Sequence, residues 1–498
     1  MQPRSAVFLK IKEVRTMTLL DDIKTVQNYT LTENGALALN STSDALTDLF
    51  AVCGAMRERK EKEIVNMFSK AMVCDRLLGT KLAFYTRDVR GGLGERRTGR
   101  LMLQYLAKEY PDILDKNLEL IAEYGRWDDL VFLLDDVPDK VSALIAKQLK
   151  QDIGNMKRME AVSLLAKWMP SVNTSNKETV KKGKYLAKRL GMSEKEYRKT
   201  LAGLRNYLRV VEVDMSAKRF EDIDYPAVPS KAMNNYRNAF KRNDKERFEQ
   251  YLEQVKTGEA KINSSVLYPY DIVEKYLYGV SGQDDVLEQQ WKALPDYIEG
   301  ENNFLIMADV SGSMWGRPMA TSIGLALYFA QRNKGPFADR FMTFSARPEL
   351  VDIKGETLLD RIRYIQNADW EMNTDLEAAF ELVLNTAVKY KTAKKDMPSS
   401  IVIITDMEFD RCVMGDWLFY DQMKARFEAN GYEIPNIVFW NVNSRKNTYH
   451  ASFDRKGVQL ASGQSPAVFD SLIKGVGLTP YEYMLTVLNS ERYEKISV

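Results

Sequence analysis

The chain has 498 residues, 45% hydrophobic and 28% charged, with a net charge of +2. That length exceeds one compact core and predicts two or three domains, while the near-neutral balance names no partner and leaves any nucleic-acid argument to local basic runs. Cys53, Cys74 and Cys412 are far apart and odd in number, which argues against a disulfide framework, and His450 is the only histidine, which excludes most zinc sites and every Ser-His or Cys-His mechanism not built on it.

His450 itself reads as a polar loop residue near Asn447 and Tyr449. A reducing cytoplasm is the expected compartment. No apolar run approaches the ~20 residues that span a bilayer. Residues 1–16 carry a short apolar patch without a signal-peptide core or a small-residue cleavage site. They read as a disordered extension, and Met17 is an alternative start to Met1, because organised sequence begins at MTLLDDIKTV.

Residues 17–299 read as a helical domain. Apolar residues recur every three or four positions over 44–59, 61–88, 98–125 and 141–160. Paired helices separated by Gly, Pro and Asp suggest stacked HEAT-like hairpins with no clean period. Segment 288–303 is the expected junction. From about residue 300 to 498, short apolar runs alternate with helical patterns. Strands are predicted at 304–308, 340–344, 401–405 and 437–442, and helices at 319–332, 356–366, 375–390, 416–429 and 466–474. This pattern predicts a doubly wound α/β domain with a parallel sheet covered on both faces. The two parts are expected to have separate cores.

The first strand, FLIMA, runs into Asp309, Ser311 and Ser313; Asp406 follows IVIIT, and Thr374 opens a helix. Ligands of such sheets bind beyond the carboxyl ends of the strands. Two carboxylates and three hydroxyls are hard oxygen donors that suit Mg²⁺ or Mn²⁺. The competing reading has the serines capping the next helix and Asp406 in a turn.

This set, in order, spacing and strand context, resembles the metal-ion-dependent adhesion site of von Willebrand factor A domains. The resemblance implies a cation able to accept an acidic group from a partner protein. It departs at Met372 and Asn373, where the family often has two glycines before the threonine.

In the helical part, FYTRDVRGGLGERRTGR (84–100), YGRWDDL (124–130) and AKWMPSVN (166–173) resemble the TROVE module of Ro-type ribonucleoproteins. They are closer still to an uncharacterised bacterial, viral and plant group with the same domain order, to which residues 204–233 and FWNVNSR (439–445) are also similar. The resemblance implies a helical ring closed by the A domain, with structured or single-stranded RNA on its basic surface and in its hole.

The residues themselves leave two readings of each basic segment. Arg87, Arg90, Arg96, Arg97 and Arg100 surround Gly91, Gly92 and Gly94. They form either a phosphate cradle or a helix-to-helix turn with arginines paired to Asp88 and Glu95. Lys181, Lys182, Lys184, Lys188 and Arg189 open a basic run to Arg209 with Tyr185, Tyr197 and Tyr207 interleaved. That pattern suits backbone tracking and base stacking or a solvated helix face. Trp127 and Trp168 read as core anchors. The expected function is non-catalytic RNA binding, without DNA sequence specificity and without a membrane. The alternative is an adaptor whose metal site captures an acidic residue of a partner.

Overall fold

A computed structural model describes residues 28–298, 303–334, 336–343, 347–367, 375–410 and 419–498. The N-terminal extension, Thr374 with Met372 and Asn373, and Cys412 lie outside the described residues.

The N-terminal part is helical apart from one hairpin, β1 (Tyr29–Leu31) antiparallel to β2 (Leu37–Leu39). Its helices are set by local chemistry. The run 61–88 divides into Glu61–Cys74 and Arg76–Arg87 because Asp75 caps the second helix, accepting from Leu78 N. Pro111 likewise divides 98–125, opening helix Pro111–Asn117. No described helix is long and apolar enough to cross a membrane.

The C-terminal part holds a six-stranded sheet: β3 (Phe304–Ala308), β4 (Arg340–Thr343), β5 (Leu350–Asp352), β6 (Ser400–Thr405), β7 (Asn436–Asn441) and β8 (Val458–Ser462). The order is β5-β4-β3-β6-β7-β8. All pairings are parallel except β5 on β4, so the sheet is mixed rather than all parallel. The winding reverses between β3 and β6, the topological switch point at which such sheets bind ligands. Strands β3, β6, β7 and β8 are buried along their whole length, as strands covered on both faces must be.

The helical part leaves the sheet domain and returns to it. At its start, helix Ala45–Val52 packs on β8 and on the C-terminal helix Pro480–Leu488. At its end, helix Pro269–Tyr278 crosses helix Arg317–Arg332. Gly324 sits at that crossing, where a Cβ would lie 3.1 Å from the backbone of Pro269 and Tyr270. The expectation of separate cores is corrected here. One apolar cluster runs from Ala36 through the sheet to Ile496, because the first helices and helix Pro269–Tyr278 bury their faces on the α/β part. A second, smaller cluster lies inside the helical part, between Val211 and Val286.

Candidate functional site

At the switch point, Asp309 and Asp406 leave adjacent strands, and Asp309 N donates to Ile404 O at 2.9 Å. Both side chains are enclosed, Asp309 with 1% and Asp406 with 2% of the residue exposed. Asp309 accepts from Ser311 N and Thr405 Oγ1, each at 2.8 Å. Burial, and then the neighbouring Asp406 charge, push its carboxyl up to about 6. The hydroxyls of Ser311 and Ser313 lie 3.1 Å apart. Neither serine side chain caps the following helix, whose N-cap is Gly316 without a side-chain bond. Gly312 and Ser313 are exposed, so the hydroxyls open outward. Among the described residues no group of three or more His, Cys, Asp or Glu gathers. A cation here would therefore rest on two carboxylates and neutral hydroxyls, an oxygen-only set that fits Mg²⁺ or Mn²⁺.

Two residues absent from the sequence reading stand beside this pair. Arg445 Nη2 donates to Asp406 Oδ2 at 2.8 Å and lies 3.3 Å from Glu33 Oε2. Arg445 ends the FWNVNSR stretch, but its partners come from segments far away in the chain, and no spacing announces them.

The Gly-rich turn between Arg87 and Arg96 proves to be a docking point for the chain's C-terminus. Asp88 accepts from Arg90 N at 2.9 Å, from Arg492 and from Tyr493 Oη at 3.0 Å. Glu95 takes Arg57 in a fork of 2.9 and 2.6 Å. Gly92 has no room for a side chain, since a Cβ would lie 2.3 Å from Tyr85 O. Arg87 is not a surface residue: it is buried against Asp129 at 2.8 Å, with Gly99 and Gly125 packed against its side chain. Arg90 donates to Glu123 O. Arg97 donates to the carbonyls of Arg57 and Arg59 at 3.2 and 2.8 Å. Arg96 is exposed and pairs with Asp128.

Arg96 also opens onto a cavity of about 1240 Å³ that brings the two basic segments together. Arg96 and Arg100 from the first segment, Lys182, Arg198 and Arg205 from the second, and Lys167 all line it. Asp128, Glu178 and Glu212 are its acids, so six cations face three carboxylates. Arg205 is committed to the wall, donating to Ala166 O, Met169 O and Ser171 Oγ at 2.8 to 2.9 Å. Lys167, Lys182 and Arg198 have no ion-pair partner among the described residues. Trp168 and Phe132 contribute rings, with the Arg126 guanidinium 4.6 Å from the Trp168 ring centre. Trp168 is therefore a half-buried wall residue, not a core anchor.

Helix Lys177–Arg189 divides its lysines between the cavity and other surfaces. Glu178, Thr179 and Lys182 face the cavity. Lys181, Lys184 and Lys188 are exposed elsewhere, and Lys184 is 3.2 Å from Glu194. Arg189 pairs with Asp139.

Two family models match the chain, each a domain of unknown function: DUF2828 over residues 32–137 and 175–303, and DUF7788 over residues 303–492. They meet one residue before β3 begins. An uncharacterised protein of Acanthamoeba polyphaga mimivirus is 27% identical over 502 residues, covering 93% of this chain and 87% of that protein. The crystal structure of the Ro (RSR) protein of Deinococcus radiodurans matches 91% of this chain and 100% of its own, at 14% identity and a TM-score of 0.46.

Proposed function

We propose that this chain is a non-catalytic RNA-binding protein whose RNA backbone enters the cavity between residues 96–100 and 167–205. The observation that carries the reading is the convergence of two basic segments, distant in sequence, on one concavity with the rings of Trp168 and Phe132 and with Lys167, Lys182 and Arg198, which have no ion-pair partner among the described residues. Phosphates gain from the cations by releasing counterions, and unstacked bases gain from the rings. The motif resemblance to Ro-type proteins supports the same reading. The test is a mobility shift with cellular RNA, followed by sequencing of the RNA that co-purifies. RNA retained at low salt and released at high salt is the expected result.

The proposal includes Mg²⁺ or Mn²⁺ at Asp309, Ser311, Ser313 and Asp406, with Thr374 as the further donor. A cation there supplies a Lewis-acidic position for an acidic group. One observation favours an adaptor role for this edge. Trp315, two residues past Ser313, is 76% exposed, yet it is held against the Tyr278 ring at 5.4 Å. A fixed, exposed indole is the kind of side chain that anchors partner proteins. Metal-dependent capture of a protein that Asp309→Ala abolishes, without nucleic acid, would favour that reading.

A further inference from the structure

The hairpin β1–β2 and the loop after β7 meet beside the carboxylate pair. Each is fixed on its own. Arg59 holds the loop, donating to Ser444 O, Ser444 Oγ and Asn447 Oδ1 at 2.9, 2.7 and 2.6 Å. Thr32 Oγ1 and Asn34 Nδ2 hold the hairpin on the carbonyls of Phe409 and Glu408, at 2.6 and 2.7 Å. Glu33 N adds a bond of 2.6 Å to Glu408 Oε2.

Between them stands the Arg445 guanidinium, shared by two carboxylates of unequal exposure. The Asp406 side chain is 1% exposed and that of Glu33 is 37% exposed. Lys446 Nζ is 3.2 Å from Glu33 Oε1, which leaves Oε2 towards Arg445. The pair with Asp406 has a single prong: Arg445 Nε is buried and lacks a hydrogen-bond partner among the described residues. That falls short of the two-pronged fork typical of arginine on a carboxylate.

We propose that Arg445 is the built-in counter-ion of the Asp309–Asp406 pair and sets its affinity for a divalent cation, with Glu33 taking the guanidinium when a cation takes Asp406. The inference rests on the cation reading above. Two enclosed carboxylates need compensating positive charge. Without a divalent ion, Arg445 supplies one unit of it. An arriving cation must share Asp406 with that fixed charge or displace it. Displacement towards Glu33 keeps the guanidinium paired and moves its charge away from the ion. Arg445 is thus a positioning residue, and Glu33 is its second seat.

The test is calorimetric titration of Mn²⁺ into the full chain and its variants. Arg445→Gln should bind Mn²⁺ at least about tenfold more tightly, since a unit charge at this range is removed. Arg445→Lys should stay near wild type. Glu33→Gln should bind severalfold more weakly. A merely structural Arg445 would give the opposite sign, because its loss would loosen the site. Wild type that binds Mn²⁺, with Arg445→Gln equal to it or weaker, overturns the inference and leaves the cation site standing. Absence of binding in all four proteins overturns both. Should Arg445→Gln fail to fold, Glu33→Gln decides, and unchanged affinity there overturns the inference.

Discussion

Reversing the three cavity cations that lack an ion-pair partner among the described residues, Lys167→Glu with Lys182→Glu and Arg198→Glu, tests the proposed RNA surface. Each phosphate contact to a single strand contributes about 0.7 to the slope of log affinity against log salt. Three lost contacts should therefore flatten that slope by about 2. Over a fourfold rise in salt each contact is worth about 2.6-fold, so the triple variant should lose about 18-fold less affinity than wild type does. The effect should be alike for unrelated sequences, because backbone contacts carry no sequence code. The assay is fluorescence anisotropy of a labelled single-stranded RNA across a salt series. The control is built into the same helix: Lys181, Lys184 and Lys188 face away from the cavity. Reversing those three should change the slope by less than about 1. Equal effects from the two triples, or an unchanged slope in the cavity triple, would refute the assignment of the cavity as the RNA surface.

Three further outcomes follow from the packing. Asp88→Ala leaves the buried Tyr493 hydroxyl without its acceptor and frees the solvent-exposed Arg492 guanidinium at the C-terminal docking point, and should cost about 1–3 kcal/mol; calorimetric unfolding checks this, and an unchanged midpoint would show that the turn does not hold the C-terminus. Gly54→Ala places a Cβ 2.6 Å from Ser462 O and 2.7 Å from Gly463 Cα, backbone that cannot swing aside. It should destabilise the chain by about 1–3 kcal/mol in denaturant unfolding, and wild-type stability would mean that the helical and α/β parts are less tightly joined there. His450 should titrate at about 4, since burial penalises its charged form. Its folded value lies below its unfolded one, so the unfolded chain binds the extra proton as pH falls. The stability it contributes is full above about 6.5 and is lost towards 4, and His450→Phe should remove that acid-side loss. With one histidine in the chain, a single imidazole NMR signal reports the titration directly, and a midpoint near 6.5 would contradict the burial.

The strands that were legible in the sequence are the long apolar ones. FLIMA, IVIIT and IVFWN read as buried strands because both faces of the sheet are covered. Leu350–Asp352, Tyr29–Leu31 and Leu37–Leu39 do not, because three residues carry no period, and the hairpin is held by bridges from Gly35 to Asp410 and Leu39 to Tyr449; Val458–Ser462 does not either, because Gln459 and Ser462 interrupt its apolar run although the strand is buried throughout. His450 read as a loop residue. It does lie in a loop, but enclosed between Phe409 and Phe439, with ring centres at 4.5 and 5.4 Å, and those neighbours come from other segments of the chain. Asp309, Ser311, Ser313 and Asp406 were legible because each follows a strand at a fixed offset. Arg445 and Glu33 were not, since their meeting needs two loops more than 400 residues apart. The basic runs were visible, but helical period alone does not tell Lys182 from Lys181, because it gives the faces without saying which one lines a cavity.

Ultraviolet crosslinking of the full chain to a labelled single-stranded RNA, with the crosslinked peptides identified by mass spectrometry, tests the central claim most directly. The cavity wall predicts adducts in the peptides that carry Phe132, Trp168 and residues 178–205, and their loss in the Lys167, Lys182, Arg198 charge-reversal variant. Adducts confined to other surfaces, or none at an RNA concentration that saturates anisotropy, would contradict it.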